Sequence, residues 1–211
     1  LRIKRKRAAT LVGPSPPDVF DQDPLIRYTA RISLEHRKQF AFIARDRDSF
    51  ITLATAQSAA GQSALLLNKL QSSSLATFTE PQLLEMINLF SAQAKTLKDV
   101  APLRKFFPSQ SQALNRHLAL LLAHLGDDRA TGIAMKLLRE ADTSRDKLLY
   151  LFALRNAEHG WTRELRREYF LQLAAARQFR GGRGLPGFIN KIHKDAVNHL
   201  PNAEKNALAK E

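Results

Sequence analysis

The chain has 211 residues, 44% hydrophobic and 25% charged, with 33 Lys and Arg against 20 Asp and Glu for a formal charge of +13. That length fits one large domain or two small ones with a substantial core. The absence of cysteine excludes disulfides, thiolate zinc sites, iron–sulfur ligation, thioether-attached haem and a cysteine nucleophile within the chain. The charge raises polyanionic partners without announcing a chemistry.

Residues 1–7 hold Arg2, Lys4, Arg5, Lys6 and Arg7, followed by a short apolar run that Gly13, Pro14, Pro16 and Pro17 stop. That run is shorter than the roughly 7–15 apolar residues of a signal peptide. No apolar stretch approaches the ~20 residues of a membrane helix. Residues 13–22 read as a linker, so 1–22 form a basic segment and 23–211 the organised domain.

From Asp23 onward the apolar period is helical. Asp23 caps a helix with Pro24 at its first position, and Ile26, Ala30 and Leu34 line one face. Thr79 to Gln82 forms a capping box ahead of Leu83, Met86, Ile87 and Phe90. Ser109 to Gln112 reads as a second box, before Leu114, Leu118, Leu121, Leu122 and Leu125. Gly126 ends that helix in a left-handed cap, and Asp127 or Asp128 starts the next. Thr143 to Asp146 precedes Leu148, Leu149 and Phe152, and Gly160 closes that helix. Thr162 caps the helix of Leu165, Tyr169, Phe170 and Leu173, and a last helix carries Phe188, Ile192 and Ala196 and ends at Pro201. The expectation is about ten helices in serial antiparallel pairs: an all-α, HEAT-like α-α superhelix, with a compact bundle as the alternative.

The charge is uneven. Residues 1–7 supply five of the excess positive charges. Residues 161–194 supply six more, with Arg163, Arg166, Arg167, Arg177, Arg180, Arg183, Lys191 and Lys194 against Glu164 and Glu168. These eight cations are the candidate partner- or polyanion-binding residues. Trp161, Tyr169 and Phe170 lie among them at helical spacing and read as core, not as a base-stacking platform. Arg180-Gly181-Gly182-Arg183-Gly184 lacks the Lys-Ser/Thr ending of a phosphate loop, and reads as an interhelical loop whose glycines permit positive φ. His117 and His124 are seven residues apart on one helix, but only Asp127 or Asp128 lies near them as a further ligand, so no metal site is assigned. No catalytic signature stands out, and no catalytic or cofactor-binding residue is assigned.

Residues 125–130 (LGDDRA), 148–182 (LLYLFALRNAEHGWTRELRREYFLQLAAARQFRGG), Phe188-Ile189 and Lys194-Asp195-Ala196 form an ordered series. It resembles the helical region of planctomycete-type multidomain secreted haem-binding proteins. In that family a β-propeller of the putative membrane-bound dehydrogenase kind precedes the HEAT-like repeats, and a c-type cytochrome domain with CxxCH follows. Residues 23–31 resemble the family's first repeat helix. The resemblance implies a periplasmic or exported location, haem only in a separate downstream domain, and residues 1–7 as the last strand of a preceding propeller.

The resulting expectation is a non-catalytic scaffold and docking module of a multidomain exported c-type cytochrome protein. Its partners would be neighbouring domains of the same polypeptide or an acidic protein surface. The alternative is a nucleic-acid- or polyanion-binding helical-repeat domain that places the basic C-terminal helices on phosphates. A helical-repeat enzyme is a third class, with no identifiable pocket.

Overall fold

The computed structural model describes residues 21, 23–37, 47–59, 77–92, 94, 101–201 and 205. Among them every regular element is helical: α1 (Pro24–Arg37), α2 (Arg47–Ala59), α3 (Glu80–Ala92), the single turn α4 (Ala101–Arg104), α5 (Gln112–His124), α6 (Asp128–Glu140), α7 (Ser144–Leu154), α8 (Arg163–Ala176) and α9 (Leu185–Asn198). The basic opening at residues 1–7 and all of the linker except Asp21 lie outside the described residues. The chain divides into two compact units, Leu1–Leu97 and Lys98–Glu211.

In the first unit α1 packs on α2 and α2 on α3. Asp23 starts α1 as expected: its carboxylate accepts Leu25 N–H at 2.7 Å. The buried face of α1 is Ala30, Ile32, Ser33 and Leu34, and Leu34 clusters with Leu53 and Ala56 of α2. Ile26, expected on that face, is 38% exposed, because the packed face is confined to the later turns and the first turn, with Leu25, projects into solvent. Half of the box before α3 forms: the Gln82 side-chain carbonyl accepts Thr79 N–H at 3.0 Å, and Leu83, Met86, Ile87 and Phe90 are buried.

The second unit builds from α4 to α9. The cap of α5 lies two residues later than the sequence suggests. Ser111 accepts Leu114 N–H, while the buried Asn115 amide clamps the Ser109 backbone from both sides, at 2.6 and 2.8 Å. The earlier serine is therefore held by a side chain six residues on, and the later one is the cap. The exit of α5 follows expectation: Gly126 sits at φ +75 with its N–H on Ala123 O, and Asp127 N–H reaches Leu122 O at 3.0 Å. This is the double-bonded left-handed cap that favours glycine. Asp127 then caps α6, accepting Arg129 and Ala130 N–H at 3.0 Å each.

Helix α7 packs against α5, α6, α8 and α9, which makes it the centre of the unit. Its most deeply buried residues are Tyr150, Leu151, Ala153 and Leu154, whereas Leu148, Leu149 and Phe152 are half-buried. A helix covered on several sides has no single apolar stripe to read. It ends at Leu154, and Gly160 lies six residues beyond it in the connecting loop. Gly160 has φ +75, and a Cβ there would come within 2.0 Å of the Asp128 carbonyl oxygen. Glycine is needed at that point for close approach to the start of α6, not to close α7.

Candidate basic interface on the last helical hairpin

From α5 to α9 the helix contacts follow one rule: each helix meets the next one and, where there is one, the one after that. The pairs α5–α7, α6–α8 and α7–α9 pack together, as do all the sequential pairs from α5 to α9. Each two-step contact also carries an ion pair, with the arginine on the earlier element. Arg104 of α4 pairs with Asp127 at the cap of α6. Arg116 of α5 meets Asp146 of α7 at 2.6 Å, and Arg139 of α6 meets Glu168 of α8 at 2.7 Å. Arg155, the C-cap of α7, meets Asp195 of α9 at 3.3 Å. Asp127 and Asp146 have side chains only 1% and 10% exposed, so leaving either unpaired would strand a buried charge.

The segment that enters α8 is held by hydrogen bonds and ring contacts. Thr131 Oγ1 donates to His159 O at 2.6 Å, which fixes the loop beside Gly160. Trp161 Nε1 donates to Ala157 O at 2.8 Å and its ring meets Tyr169 edge-on at 5.4 Å. Thr162 caps α8 by accepting Leu165 N–H at 3.2 Å. Tyr169 is buried and donates its hydroxyl to Leu151 O at 2.9 Å; burial pushes its phenol well above the usual range. Phe170 packs edge-on against both Tyr169 and His193. The rings pack against one another, but of the three only Tyr169 is in the core; Trp161 and Phe170, expected there too, are half-buried at its edge. Arg155 also lies over the Phe152 ring at 3.5 Å, so it is held by that ring as well as by Asp195.

The eight candidate cations are distributed around this last hairpin. Arg163 and Arg167 occupy successive turns of α8 and are exposed. Arg166 is half-buried, its guanidinium 5.2 Å from the centre of the Trp161 ring. Arg177 is the C-cap of α8, Arg180 and Arg183 lie in the connection, and Lys191 and Lys194 are on α9; all five are exposed. Lys191 and Lys194 lie across α9 from its buried Ile189, Ile192 and Ala196, and Arg163 and Arg167 lie across α8 from Leu173 and Ala176. The helical period therefore turns the two sets outward from a common core.

Both acids within this zone are already committed. Glu168 holds Arg139. The Glu164 carboxyl is held below the usual range, first by its own backbone N–H and then by the nearby Thr162 hydroxyl. His193 is pushed below its ordinary value by burial first and then by the Arg177 charge.

The glycine-rich connection differs from expectation. Among the described glycines only Gly126 and Gly160 have positive φ, so Gly181, Gly182 and Gly184 are not there for left-handed backbone. Gly184 is the N-cap of α9, at φ −80, with Pro186 in the first turn. Phe188, expected in the core, stacks on Phe152 at 5.5 Å yet stays 39% exposed, because its neighbour Ile189 takes the inward position.

A shallow cleft lined by Trp161, Arg166, Phe170, Ala196, His199 and Leu200 opens beside α8, with room for about one water molecule. Among the described residues no cluster of three His, Asp or Glu is placed to hold a metal ion, and no helix is long and apolar enough to cross a membrane. His117 and His124 are both exposed, and His117 Nδ1 lies 2.8 Å from Ala113 O of its own helix. The chain matches no family model, no curated protein and no solved structure.

Proposed function

We propose that the second unit is a stretch of HEAT-like α-α superhelix that serves as a non-catalytic spacer and docking module. Its parent would be a multidomain, periplasmic or exported c-type cytochrome protein. The observation that carries the structural half is the repeated two-step contact, each instance held by an arginine–carboxylate pair. Such stacking transmits a fixed spacing along the helix series, because each repeat is positioned by its neighbours. The resemblance of residues 125–200 supports the cytochrome half. Without cysteine the chain has no thioether attachment point for haem, so that cofactor falls to another domain.

The docking half rests on Arg163, Arg167, Arg177, Arg180, Arg183, Lys191 and Lys194, all exposed and without an ion-pair partner among the described residues. An acidic neighbouring domain would meet them with complementary potential. The test is carbodiimide cross-linking of lysine to carboxylate in the parent polypeptide, read with its coding sequence. Cross-links from Lys191 or Lys194 to acids outside residues 1–211, together with a downstream CxxCH, support the reading. No such cross-link, or a coding sequence without CxxCH, overturns it.

The same unpaired cations support a second reading, a nucleic-acid-binding helical repeat. It requires duplex or single-strand affinity that falls steeply with salt as counterions are released. Absence of binding at low ionic strength removes it.

A further inference from the structure

The arginine series has an unfilled step. Elements α4, α5, α6 and α7 each give an arginine to a carboxylate on the element two places later. Helix α8 receives such a pair through Glu168, which faces α6. On the opposite side of α8, Arg163, Phe170 and Arg177 recur every seven residues, with Ala174 between the last two. At 100° per residue these four lie within a narrow strip turned away from Glu168. Arg163, Ala174 and Arg177 are exposed and Phe170 is half-buried. Among the described residues no carboxylate forms an ion pair with Arg163 or Arg177.

We propose that this strip of α8 docks an acidic amphipathic helix, which supplies the carboxylates that the arginine series lacks at its next step. The inference rests on reading the unit as a docking module and names the chemistry of the partner. Two cations fourteen residues apart span about 21 Å of helix, and the apolar Phe170 and Ala174 lie between them. A docked helix with acidic residues near both ends and alanine or leucine at its centre matches that order. A nucleic-acid backbone matches only the charges and makes no use of the exposed Ala174 or of the part of Phe170 that Tyr169 and His193 leave open. The aromatic rings that would stack on bases already pack against one another.

The test is fluorescence anisotropy with a labelled helical peptide of about 18 residues, glutamates at its ends and Ala/Leu along one face. Arg163→Glu with Arg177→Glu is expected to weaken binding at least ~10-fold, and Ala174→Arg about fivefold. Leu171→Lys lies on the outward face of α8 and should change affinity less than about twofold. Circular dichroism melts establish that each variant folds.

Unchanged affinity in the double charge reversal overturns the proposal. Displacement of the peptide by duplex DNA, with Ala174→Arg without effect, identifies a polyelectrolyte surface and also overturns it. Peptide binding that appears only after removal of residues 202–211 assigns the strip to the chain's own end and overturns it too. Failure here with the Lys191 and Lys194 cross-links intact removes this strip alone, whereas loss of the cross-links removes the docking module.

Discussion

Among the described residues of the unit of α1 to α3, one carboxylate serves two partners. Asp48 accepts Gln82 Nε2 at 2.7 Å and lies 3.7 Å from Arg27, with its side chain 50% exposed. In the unit of α4 to α9, Asp127, Asp146, Glu168 and Asp195 each meet an arginine from two elements earlier, and Asp127 and Asp146 are nearly inaccessible. An exposed pair gains little because water screens it. A buried carboxylate without its arginine costs several kcal/mol, so only one register of the helices is tolerated. The contrast teaches where positional precision comes from in this protein. Apolar faces bring helices together in both units, but among the described residues only the second joins different helices through carboxylates as buried as Asp127 and Asp146.

Breaking the second unit should cost most where backbone, not side chain, makes the contact. Gly160→Ala combines positive φ with a Cβ pressed onto the Asp128 carbonyl, and is expected to lose about 3 kcal/mol in urea unfolding. A loss under about 1 kcal/mol would mean that the loop does not rest on α6. Next comes the buried pair. Arg116→Met strands Asp146, whose remaining bond is to the Thr143 hydroxyl at 2.7 Å, and should cost about 2 kcal/mol. Arg139→Met, in the more exposed pair with Glu168, should cost less than about 1 kcal/mol. Equal losses at the two sites would break the argument that burial sets the register.

A smaller effect is expected from pH. His193 binds protons less readily folded than unfolded, so the folded state is favoured above the ordinary value of 6.5 and loses that advantage as pH falls. Thermal melts of residues 98–211 within the full chain should drop between neutral and mildly acidic pH, and Arg177→Gln should shrink the drop. A drop of the same size in His193→Gln would assign it to other groups. The smallest change is in the first unit: Asp48→Asn should cost about 0.5 kcal/mol or less by urea titration. A loss as large as that of Arg116→Met would erase the distinction between the units.

Much of the local structure was legible because its causes lie within four residues. The capping interactions at Asp23, Thr79, Thr143 and Thr162 each join a side chain to backbone two or three positions away. Gly126 follows from the turn it completes. Ser111 was missed because Ser109 offers the same signal and is disqualified only by Asn115, whose amide closes on its backbone. Phe188 was misassigned because the helical stripe fits it and Ile189 almost equally, and only packing against α7 decides between them. In the candidate site the sequence located the cations but not their neighbours: Arg155 with Asp195, and Arg139 with Glu168, are 40 and 29 residues apart.

The sequence by itself therefore determined the helical class, most of the caps, and the concentration of charge in residues 161–194. These follow from side chains reaching nearby backbone and from counting. Tertiary structure decided which glycine is sterically required, which arginines are spent inside the stack and which remain outside it. Those outcomes depend on contacts between elements dozens of residues apart, where the low dielectric of a packed interior turns a charge at the right distance into a constraint. The same charge a few ångströms outward stays in water, open to a partner.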